Sequence, residues 1–389
     1  MLGLLARIAP TDTETLRDAL TAHLRDLPRT PRGDRDLVAR AEEDVQTDSS
    51  AALRLAPDGH TVLRTGGREL HAGRFETPTL GDLRTRAETA RARSKSPPPR
   101  LRFHVVDGAS PATDIGALQG AAPPGALFQV ASQFNCLEAP DAVVVPVAEY
   151  FHDSTQGPRA SISAFPGTIL RHYSALRADG SFFVQEEDGP QINLLASVCA
   201  PGVAAVRNGY LTTRSIANAE AFLRALDERF DTLRIGLHDG VEVVFGHDWL
   251  GPVATPAPRI AQALTSTLAA GGYGRLDDED RTMLGIVRRL QRAAYLGTLL
   301  GAASLGKSFA VLTLIGGGVF RNPVSVIWES ILRAVDQVAP LLHRDLCVVV
   351  NGYALGRQLA ARTLYEAAAA RGGTLVVYEG GSVRVGAPD

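Results

Sequence analysis

Apolar runs of strand length alternate with longer helical patterns over most of the chain beyond residue 100. The strand candidates are residues 101–106, 126–132, 233–237, 241–245, 309–315, 346–350 and 374–378. The spacing of apolar residues predicts helices over residues 216–230, 259–270, 277–300, 324–338 and 355–371. Near-continuous hydrophobic strands that alternate with helices indicate a sheet that is buried on both faces. The pattern therefore predicts an α/β protein with three layers, α/β/α.

The first 75 residues follow a different pattern. Capping residues at 11–14 precede leucines at 16, 20 and 24, which predicts a helix, and residues 61–64 form a strand candidate that ends at Gly66 and Gly67. Residues 84–102 are rich in Arg and Pro and carry no interleaved aromatic residues, so a helix end and a stiff linker are favoured over a nucleic-acid patch. We expect an N-terminal helical and strand extension over residues 1–75 and one main domain over residues 76–389.

Charge and composition restrict the partners. The 40 basic and 42 acidic side chains give a net charge of -2, so no global field favours nucleic acid or an acidic membrane. The 3 cysteines are too scattered for a disulfide framework or a zinc site, and the apolar N-terminus is too short for a signal-peptide core. Lys307 and several glycines interrupt the apolar stretch 293–320, which argues against a membrane span. These features predict a cytoplasmic protein without a membrane partner.

One glycine motif matches a known pattern in the wrong context. Gly301, Gly306, Lys307 and Ser308 match the phosphate-binding loop of nucleotide triphosphatases letter for letter. That loop requires a strand before it and a helix after it, because the helix N-terminus supplies the N–H groups. Here the predicted helix comes first and the predicted strand follows. We predict a glycine turn at a helix C-terminus, with triphosphate hydrolysis at Lys307 as the alternative.

A second glycine motif stands in a better context. Gly316, Gly317 and Gly318 follow the predicted strand 309–315, and Asn322 is predicted to cap the next helix, with Pro323 at its first position. Three glycines let the backbone approach a ligand with no Cβ in the way, and free amides favour an anion such as a diphosphate. A tight turn without a ligand is the alternative interpretation.

Polar residues also follow the predicted strand 126–132. Asn135 comes after this strand, where a side-chain amide can hydrogen-bond a ligand at the sheet edge. Further along, Asp153 and the segment 154–158 form a turn that opens a predicted helix. Asp, Ser and Thr favour such turns without any chemistry, so Asp153 also has a purely structural interpretation. With the glycine loop, these residues supply one amide, one carboxylate and two anion-binding turns.

This combination resembles the macrodomain superfamily, whose members bind or hydrolyse ADP-ribose on a three-layer α/β/α fold with a mixed sheet. The blocks at residues 129–135, 153–158, 191–193, 207–210 and 314–320 are similar to a branch that includes arginine-directed ADP-ribosyl hydrolases, and the likeness spans about residues 101–353. The resemblance implies that Asn135 faces the distal ribose. It also implies a diphosphate site with ligand contacts from Thr155, Gln156, Gly157, Gly316, Gly317, Gly318, Val319, Phe320 and Asn322.

The sequence also departs from the commoner members of that superfamily. Their first loop carries the glycine run, which here lies in the second loop. Gln185, Glu186 and Glu187 copy the letters of the poly(ADP-ribose) glycohydrolase motif but lie far ahead of Gly316 and beside a loop signal at residues 188–190. We predict a solvated acidic turn there, with catalytic use as the alternative, and we expect action on mono-ADP-ribose.

Hydrolysis of an ADP-ribosyl bond passes through a transition state that resembles an oxocarbenium ion. It requires a carboxylate that stabilises the sugar or orients water, and an acid near the leaving group. Asp153 is the first candidate, Glu138 the second and Asp239 the third. The alternatives without a catalytic role are that Glu138 is a surface acid after a strand and that His238, beside Asp239, is a turn histidine.

These expectations combine into one hypothesis. We expect a hydrolase that removes mono-ADP-ribose from a protein side chain, with arginine favoured because the resemblance is to the arginine-directed branch; a cluster of carboxylates could recognise such a cationic leaving group. Asp107 is a weaker candidate, as an acceptor for the adenine amino group. The expected partner is ADP-ribose or an ADP-ribosylated protein, with no nucleic acid, no metal and no other cofactor. The alternative is a non-catalytic module that binds ADP-ribose in the same pocket.

Overall fold

The computed structural model describes residues 1–25, 34–95, 97–108, 112–176, 180–246, 253–274, 276–277, 279–353 and 355–388. Its helices are α1 Leu2–Arg7, α2 Thr13–Arg25, α3 Arg35–Thr47, α4 Ser49–Ala52, α5 Leu80–Arg93, α6 Ile115–Gly120, α7 Gln156–Ser163, α8 Phe165–Tyr173, α9 Ala219–Glu228, α10 Arg281–Ser304, α11 Val324–Val338 and α12 Ala361–Ala369. Its strands are β1 Leu53–Leu55, β2 Thr61–Thr65, β3 Arg68–Glu76, β4 Leu101–Gly108, β5 Ala126–Ala131, β6 Ala175–Leu176, β7 Phe182–Phe183, β8 Gly236–Glu242, β9 Arg259–Thr265, β10 Phe309–Thr313, β11 Leu346–Tyr353, β12 Leu375–Glu379 and β13 Ser382–Val385.

Eleven of these strands form one mixed sheet in the order β1-β2-β3-β8-β9-β5-β10-β11-β4-β12-β13. The pairs from β9 to β12 are all parallel, whereas the pairs at both flanks are antiparallel. The carboxyl ends of the central strands therefore meet at one edge of the sheet. This is the edge at which open α/β sheets bind ligands.

Helices cover both faces of the central sheet. Gln262 on β9 lies beside Phe128 on β5 and donates to the backbone oxygen of Ala160 in α7. Gln129, the next residue on β5, points to the other face and donates to Thr298 in α10 at 3.0 Å. Successive side chains of a strand point to opposite faces, so α7 and α10 lie on opposite sides. The predicted α/β/α arrangement with a mixed sheet is confirmed.

The helix predicted over residues 259–270 is wrong, because residues 259–265 form strand β9 and residues 266–270 belong to no helix. Every residue from 260 to 270 is buried, and β9 lies between β8 and β5. A strand covered on both faces is apolar at both alternating positions, which gives the same continuous apolar run as a buried helix. Pairing with the two neighbouring strands decides the conformation, and the local pattern does not contain that information.

The other predicted elements are present with shifted ends. The predicted strands at 233–237 and 241–245 correspond to the single strand β8, whose pairing with β9 is irregular around Gly240, where φ is +76°. The remaining strand candidates correspond to β2, β4, β5, β10, β11 and β12. The helices predicted at 216–230, 277–300 and 324–338 correspond to α9, α10 and α11, and the one at 355–371 shortens to α12.

The N-terminal residues are part of the same sheet. β3 pairs with β8 in antiparallel orientation, so β1, β2 and β3 continue the sheet beyond its parallel centre. Helix α3 packs with α8 on these strands and forms a second apolar cluster, which includes Val38, Leu63 and Phe165. The boundary predicted at residue 75 therefore does not coincide with a break in the sheet.

The long apolar stretch at residues 293–320 is divided between the second half of α10, a turn, strand β10 and the glycine loop. Within the described ranges, no helix has both the length and the apolar character needed to cross a bilayer.

Candidate functional site

A cavity of about 800 Å³ opens at the carboxyl edge of the central strands. β5 pairs with β10 only over residues 126–128 and 309–311, whereas β10 and β11 stay paired up to Thr313 and Asn351. Beyond those pairs β5 and β10 separate. The residues that line the cavity come from five places, namely the start of α6 (Thr113, Asp114 and Ile115), the turn before α7 with its first residues (Ser154, Thr155, Gln156 and Arg159), the end of β10 with the loop after it (Thr313, Leu314, Gly317 and Gly318), the end of β11 (Asn351 and Tyr353) and the segment that follows β11 (Arg357 and Gln358).

The turn before α7 is held by short polar contacts. Asp153 Oδ1 accepts the N–H of Thr155 at 2.8 Å, and Thr155 is the N-cap residue without a side-chain cap. Arg159 donates from Nε to the backbone oxygen of Ser154 at 2.7 Å and forms an ion pair with Asp114. This ion pair fixes the turn against α6, whose N-cap residue is Asp114.

The start of α7 presents free backbone donors. The first N–H groups of a helix have no partner inside the helix. In the described part of the chain, the N–H groups of Gln156 and Gly157 have no acceptor, and Pro158 has no N–H. Gly157 is tightly enclosed, since a Cβ at this position would lie 2.1 Å from the backbone oxygen of Ala131. The side chain of Gln156 is already engaged, because its Oε1 accepts the N–H of Ala131 at 3.1 Å.

The loop after β10 presents more such donors. Gly316 has φ +73°, and a Cβ there would lie 2.4 Å from Thr267 Cγ2, so the conformation requires glycine. Among the described residues, the N–H groups of Gly318, Val319 and Phe320 have no acceptor. Successive unpaired N–H groups form a concave site for an anion. The predicted convergence of two amide-rich turns on one cavity is therefore present in the geometry.

The predicted role of Asn322 as a helix cap is wrong. Pro323 is the N-cap of α11, and it has no side-chain cap bond. The buried Asn322 side chain instead donates to the backbone oxygen of Leu268 at 2.9 Å and accepts from Thr267 Oγ1 at 3.2 Å. Its amide thus anchors the glycine loop to the segment after β9.

Val319 and Phe320 lie outside the cavity wall. The side chain of Val319 is exposed, and Phe320 packs edge-on against Tyr210 and Tyr273 at centroid distances of 5.8 Å and 5.5 Å. Neither residue is part of the cavity lining, so their ligand contacts stay a prediction.

Glu138 lies behind the first turn of α7. A Cβ at Gly157 would lie 2.7 Å from Glu138 Oε2, and the carboxyl group itself is buried. Burial raises the pKa of Glu138 well above its ordinary value; the buried Arg171 guanidinium opposes the shift, and the Asp153 carboxylate adds to it. Asp153 is half-exposed. Two carboxyl groups in such different environments suit one acid and one base. Neither Glu138 nor Asp153 lines the cavity, but Asp153 directly precedes the lining residues Ser154 and Thr155.

Arg171 is a site residue that sequence reasoning missed. Its side chain is fully buried, donates to the backbone oxygen of Cys136 at 2.7 Å and to Ser161 Oγ at 3.1 Å. Its charge acts on Glu138. The available signal was an arginine inside an apolar helical run, 165–173, because a buried cation normally requires a partner.

Asn135 does not line the cavity. Its side chain is fully buried and accepts the N–H of Leu137 at 3.1 Å, while Nδ2 donates to Gln191 Oε1 at 3.1 Å. Both amide atoms are therefore committed to the protein. These bonds hold the turn between β5 and Glu138, which makes Asn135 a positioning residue in this geometry.

Asn351 has the geometry that was expected of Asn135. It ends the apolar run of β11, lines the cavity and donates from Nδ2 to Thr113 at 3.0 Å. Its buried Oδ1 has no partner among the described residues. The exposed ring of Tyr353 lies nearby at the rim. The sequence signal was the same in both cases, an amide after a buried strand.

Asp239 lies at the opposite edge of the sheet, which corrects its assignment as a third carboxylate of the site. It is near the start of β9 and β10 and pairs with Lys307 Nζ at 2.5 Å. The neighbouring His238 is buried, and its ring nitrogen Nε2 forms a hydrogen bond with the backbone oxygen of Ala72 at 2.6 Å. This contact agrees with a structural role for His238. Burial lowers the pKa of His238 to about 3.

Lys307 belongs to a helix C-terminus, as its context predicted. α10 ends at Ser304, the Lys307 N–H bonds Ala302 at 2.8 Å, and Gly306 has φ +61°. This arrangement is a glycine-terminated helix end that leads into β10.

The acidic turn and Asp107 also have structural partners. Gln185 is buried and donates to the backbone oxygen of Arg171 at 2.8 Å, whereas Glu186 and Glu187 are exposed. The predicted solvated turn is thus present, apart from its buried glutamine. Asp107 accepts the N–H of Gly356 at 3.0 Å with one oxygen.

No family model matches the sequence. No similar curated protein was found. Among solved structures, the chain is similar to poly(ADP-ribose) glycohydrolase from Thermomonospora curvata, with 15% identity and a TM-score of 0.39 over 81% of this chain and 92% of that chain. It is also similar to poly(ADP-ribose) glycohydrolase from Deinococcus radiodurans in complex with ADP-ribose, with 13% identity and a TM-score of 0.39 over 73% and 93% of the two chains. Similarity at this level does not fix the chemistry of a site, so the cavity residues must carry the functional argument.

Proposed function

We propose that the protein is an ADP-ribosyl hydrolase that removes mono-ADP-ribose from a protein side chain, with arginine as the preferred acceptor. One observation carries the proposal. Two loops flank a single cavity at the carboxyl edge of the parallel central strands, and within the described residues the N–H groups of Gln156 and Gly318, which both line the cavity, have no acceptor. Such donors match the oxygens of a diphosphate without requiring a basic surface.

The rest of the cavity fits a nucleoside diphosphate. Its volume of about 800 Å³ lies in the range of small-molecule sites. Asn351 Oδ1 offers a free acceptor, and the exposed Tyr353 ring offers a face for an aromatic base. Arg159 adds a guanidinium beside the first loop. Asp107 remains a proposed acceptor for the adenine amino group through its second oxygen, which is buried and has no partner in the described part of the chain.

The proposed chemistry uses two carboxyl groups. Asp153, next to the cavity-lining Ser154 and Thr155, is proposed to stabilise the cationic sugar and to orient the attacking water. Glu138, with its raised pKa, is proposed to deliver a proton to the leaving nitrogen from behind Gly157. Arg171 and Asn135 act as positioning residues for Glu138. The preference for arginine rests on the resemblance of the sequence blocks and on this pair of carboxyl groups.

A binding module without catalysis is the second candidate. The observation that favours it is the position of Glu138, which is buried and does not line the cavity. A reader of ADP-ribose would use the same backbone donors and would need no acid.

Calorimetry with ADP-ribose and release of ADP-ribose from modified proteins separate these functions. The wild type should bind ADP-ribose and release it from arginine-modified protein, and Asp153→Asn should lower turnover by about 10²–10⁴-fold with binding retained. Glu138→Gln should also lower turnover. Glu220→Gln and Glu228→Gln, which change exposed acids of α9, are the matched controls.

The outcomes are distinct. Binding without turnover would support the reader, and absence of binding would contradict both functions. Serine-modified protein and poly(ADP-ribose) serve as competing substrates. Faster release from either of these substrates would contradict the preference for arginine but would still support a hydrolase.

A further inference from the structure

A second cavity lies at the amino edge of the same sheet, opposite the candidate site. Its volume is about 690 Å³, and its lining includes Phe309 at the start of β10 and Cys347 in β11. The strands that lead into the candidate site thus begin at this cavity. Its charged lining residues are Arg93, Arg100, Arg102, Arg344 and Asp345, and His343 also lines it.

Positive charge dominates this second cavity. Four arginines come from three separate segments, the end of α5, the start of β4 and the loop before β11. In the described lining, Asp345 is the one carboxylate, and it lies 3.7 Å from Arg100 Nε. Among the described residues, Arg93, Arg102 and Arg344 take part in no ion pair. The net charge of the whole chain is only -2, so this is a local concentration of cations.

The arginines keep donors for a ligand. Arg102 donates from Nη1 to the backbone oxygen of Ala6 at 2.8 Å, and Arg344 from Nη1 to Gly306 at 3.1 Å. A guanidinium has five N–H donors in a planar fork, so most donors of both side chains remain. His343 Nδ1 is buried and has no partner among the described residues. Guanidinium groups that converge on a concave site match the geometry of phosphate oxygens.

We propose that this amino-edge cavity binds a small phosphate-bearing anion, at a site separate from the candidate active site. The proposal gives a role to Arg93, Arg100 and Arg102, which belong to the Arg-rich stretch that the sequence predicted as a helix end and linker and which line this cavity. The composition of the lining favours a small ligand over a polymer, because nucleic-acid sites that follow a strand combine a basic groove with stacking aromatic side chains. Phe309 is the one aromatic side chain in the described lining, and it is buried.

Titration calorimetry with inorganic pyrophosphate tests the proposal on the full chain. The double variant Arg93→Gln/Arg344→Gln removes two exposed cationic groups from the cavity. The charge-matched control, Arg281→Gln/Arg333→Gln, removes two exposed arginines elsewhere. We expect the cavity variant to weaken pyrophosphate binding about tenfold or more, while the control matches the wild type. The affinity should fall as salt rises.

Three results would overturn the proposal. Absence of pyrophosphate binding to the wild type is the first, and equal weakening by the two double variants is the second. The third is tighter binding of a labelled single-stranded oligonucleotide that the cavity variant abolishes, because the site would then belong to nucleic acid. Thermal unfolding of both double variants checks that they fold, and the two single variants, Arg93→Gln and Arg344→Gln, replace the double if it does not.

Discussion

The two glycine motifs at either end of β10 look alike in sequence and differ in what they offer a ligand. The turn before β10, residues 301–308, matches a known phosphate-binding pattern, yet its lysine pairs with Asp239 and its glycine ends a helix. The loop after β10, residues 316–320, matches no such pattern in its sequence, yet three successive N–H groups in it have no acceptor among the residues that the structure describes. The difference lies in the direction of the chain, because only the second loop leaves the carboxyl end of a parallel strand.

The largest expected effect comes from Gly316→Val in the loop after β10. The positive φ and the contact with Thr267 would force the loop to move, so ADP-ribose binding should fall about 100-fold or more, and the free energy of unfolding should fall by about 3 kcal/mol. Calorimetry and chemical denaturation measure the two effects.

The matched control is Gly306→Val in the turn before β10. Gly306 also has a positive φ, but its nearest neighbours are the flexible side chains of His343 and Arg344. We expect a loss of about 1–2 kcal/mol in unfolding free energy with unchanged ADP-ribose binding. If Gly306→Val abolished ADP-ribose binding as well, the assignment of the ligand to the second loop would be wrong.

The structure at the two ends of β10 was predictable from the sequence, because each depends on which element comes directly before the glycines along the chain. Whether a helix or a strand precedes the glycines is readable from apolar periodicity alone. The roles of Asn322 and Asn135 were not readable, since their partners, Leu268 and Gln191, lie far away in sequence. The prediction for the segment that forms strand β9 was wrong for the same reason, because its neighbours in the sheet are distant in sequence.

Removing the anchor of the second loop should have the next largest effect. Asn322→Ala would leave the buried backbone oxygen of Leu268 without its donor, which should lower the free energy of unfolding by about 2 kcal/mol. The glycine loop would lose its attachment, and ADP-ribose binding should weaken about tenfold. Stability loss with unchanged affinity would show that the loop keeps its shape without Asn322.

The corresponding change before β10 should be smaller. Lys307→Met breaks a partly exposed ion pair with Asp239 and should lower the free energy of unfolding by about 1 kcal/mol. ADP-ribose affinity should not change, and ATP binding, if any is detected, should not depend on Lys307. Loss of ATP binding in Lys307→Met by calorimetry would restore the nucleotide triphosphatase interpretation and reverse the comparison.

The last expected effect is a pH dependence of stability that arises behind the turn before α7, at the carboxyl edge of the sheet. Burial raises the pKa of Glu138 above its ordinary value of 4.5, so the folded state holds this proton more tightly than the unfolded state does. The contribution of Glu138 to stability is therefore fully present below pH 4.5 and is lost as the pH rises through the raised pKa. Glu138→Gln lacks this titration, so its stability relative to the wild type should improve as the pH rises. Urea denaturation at a series of pH values measures the difference, with Glu187→Gln as the exposed control. A pH-independent difference would mean that Glu138 is ionised in the folded protein and could not serve as the acid of the proposed mechanism.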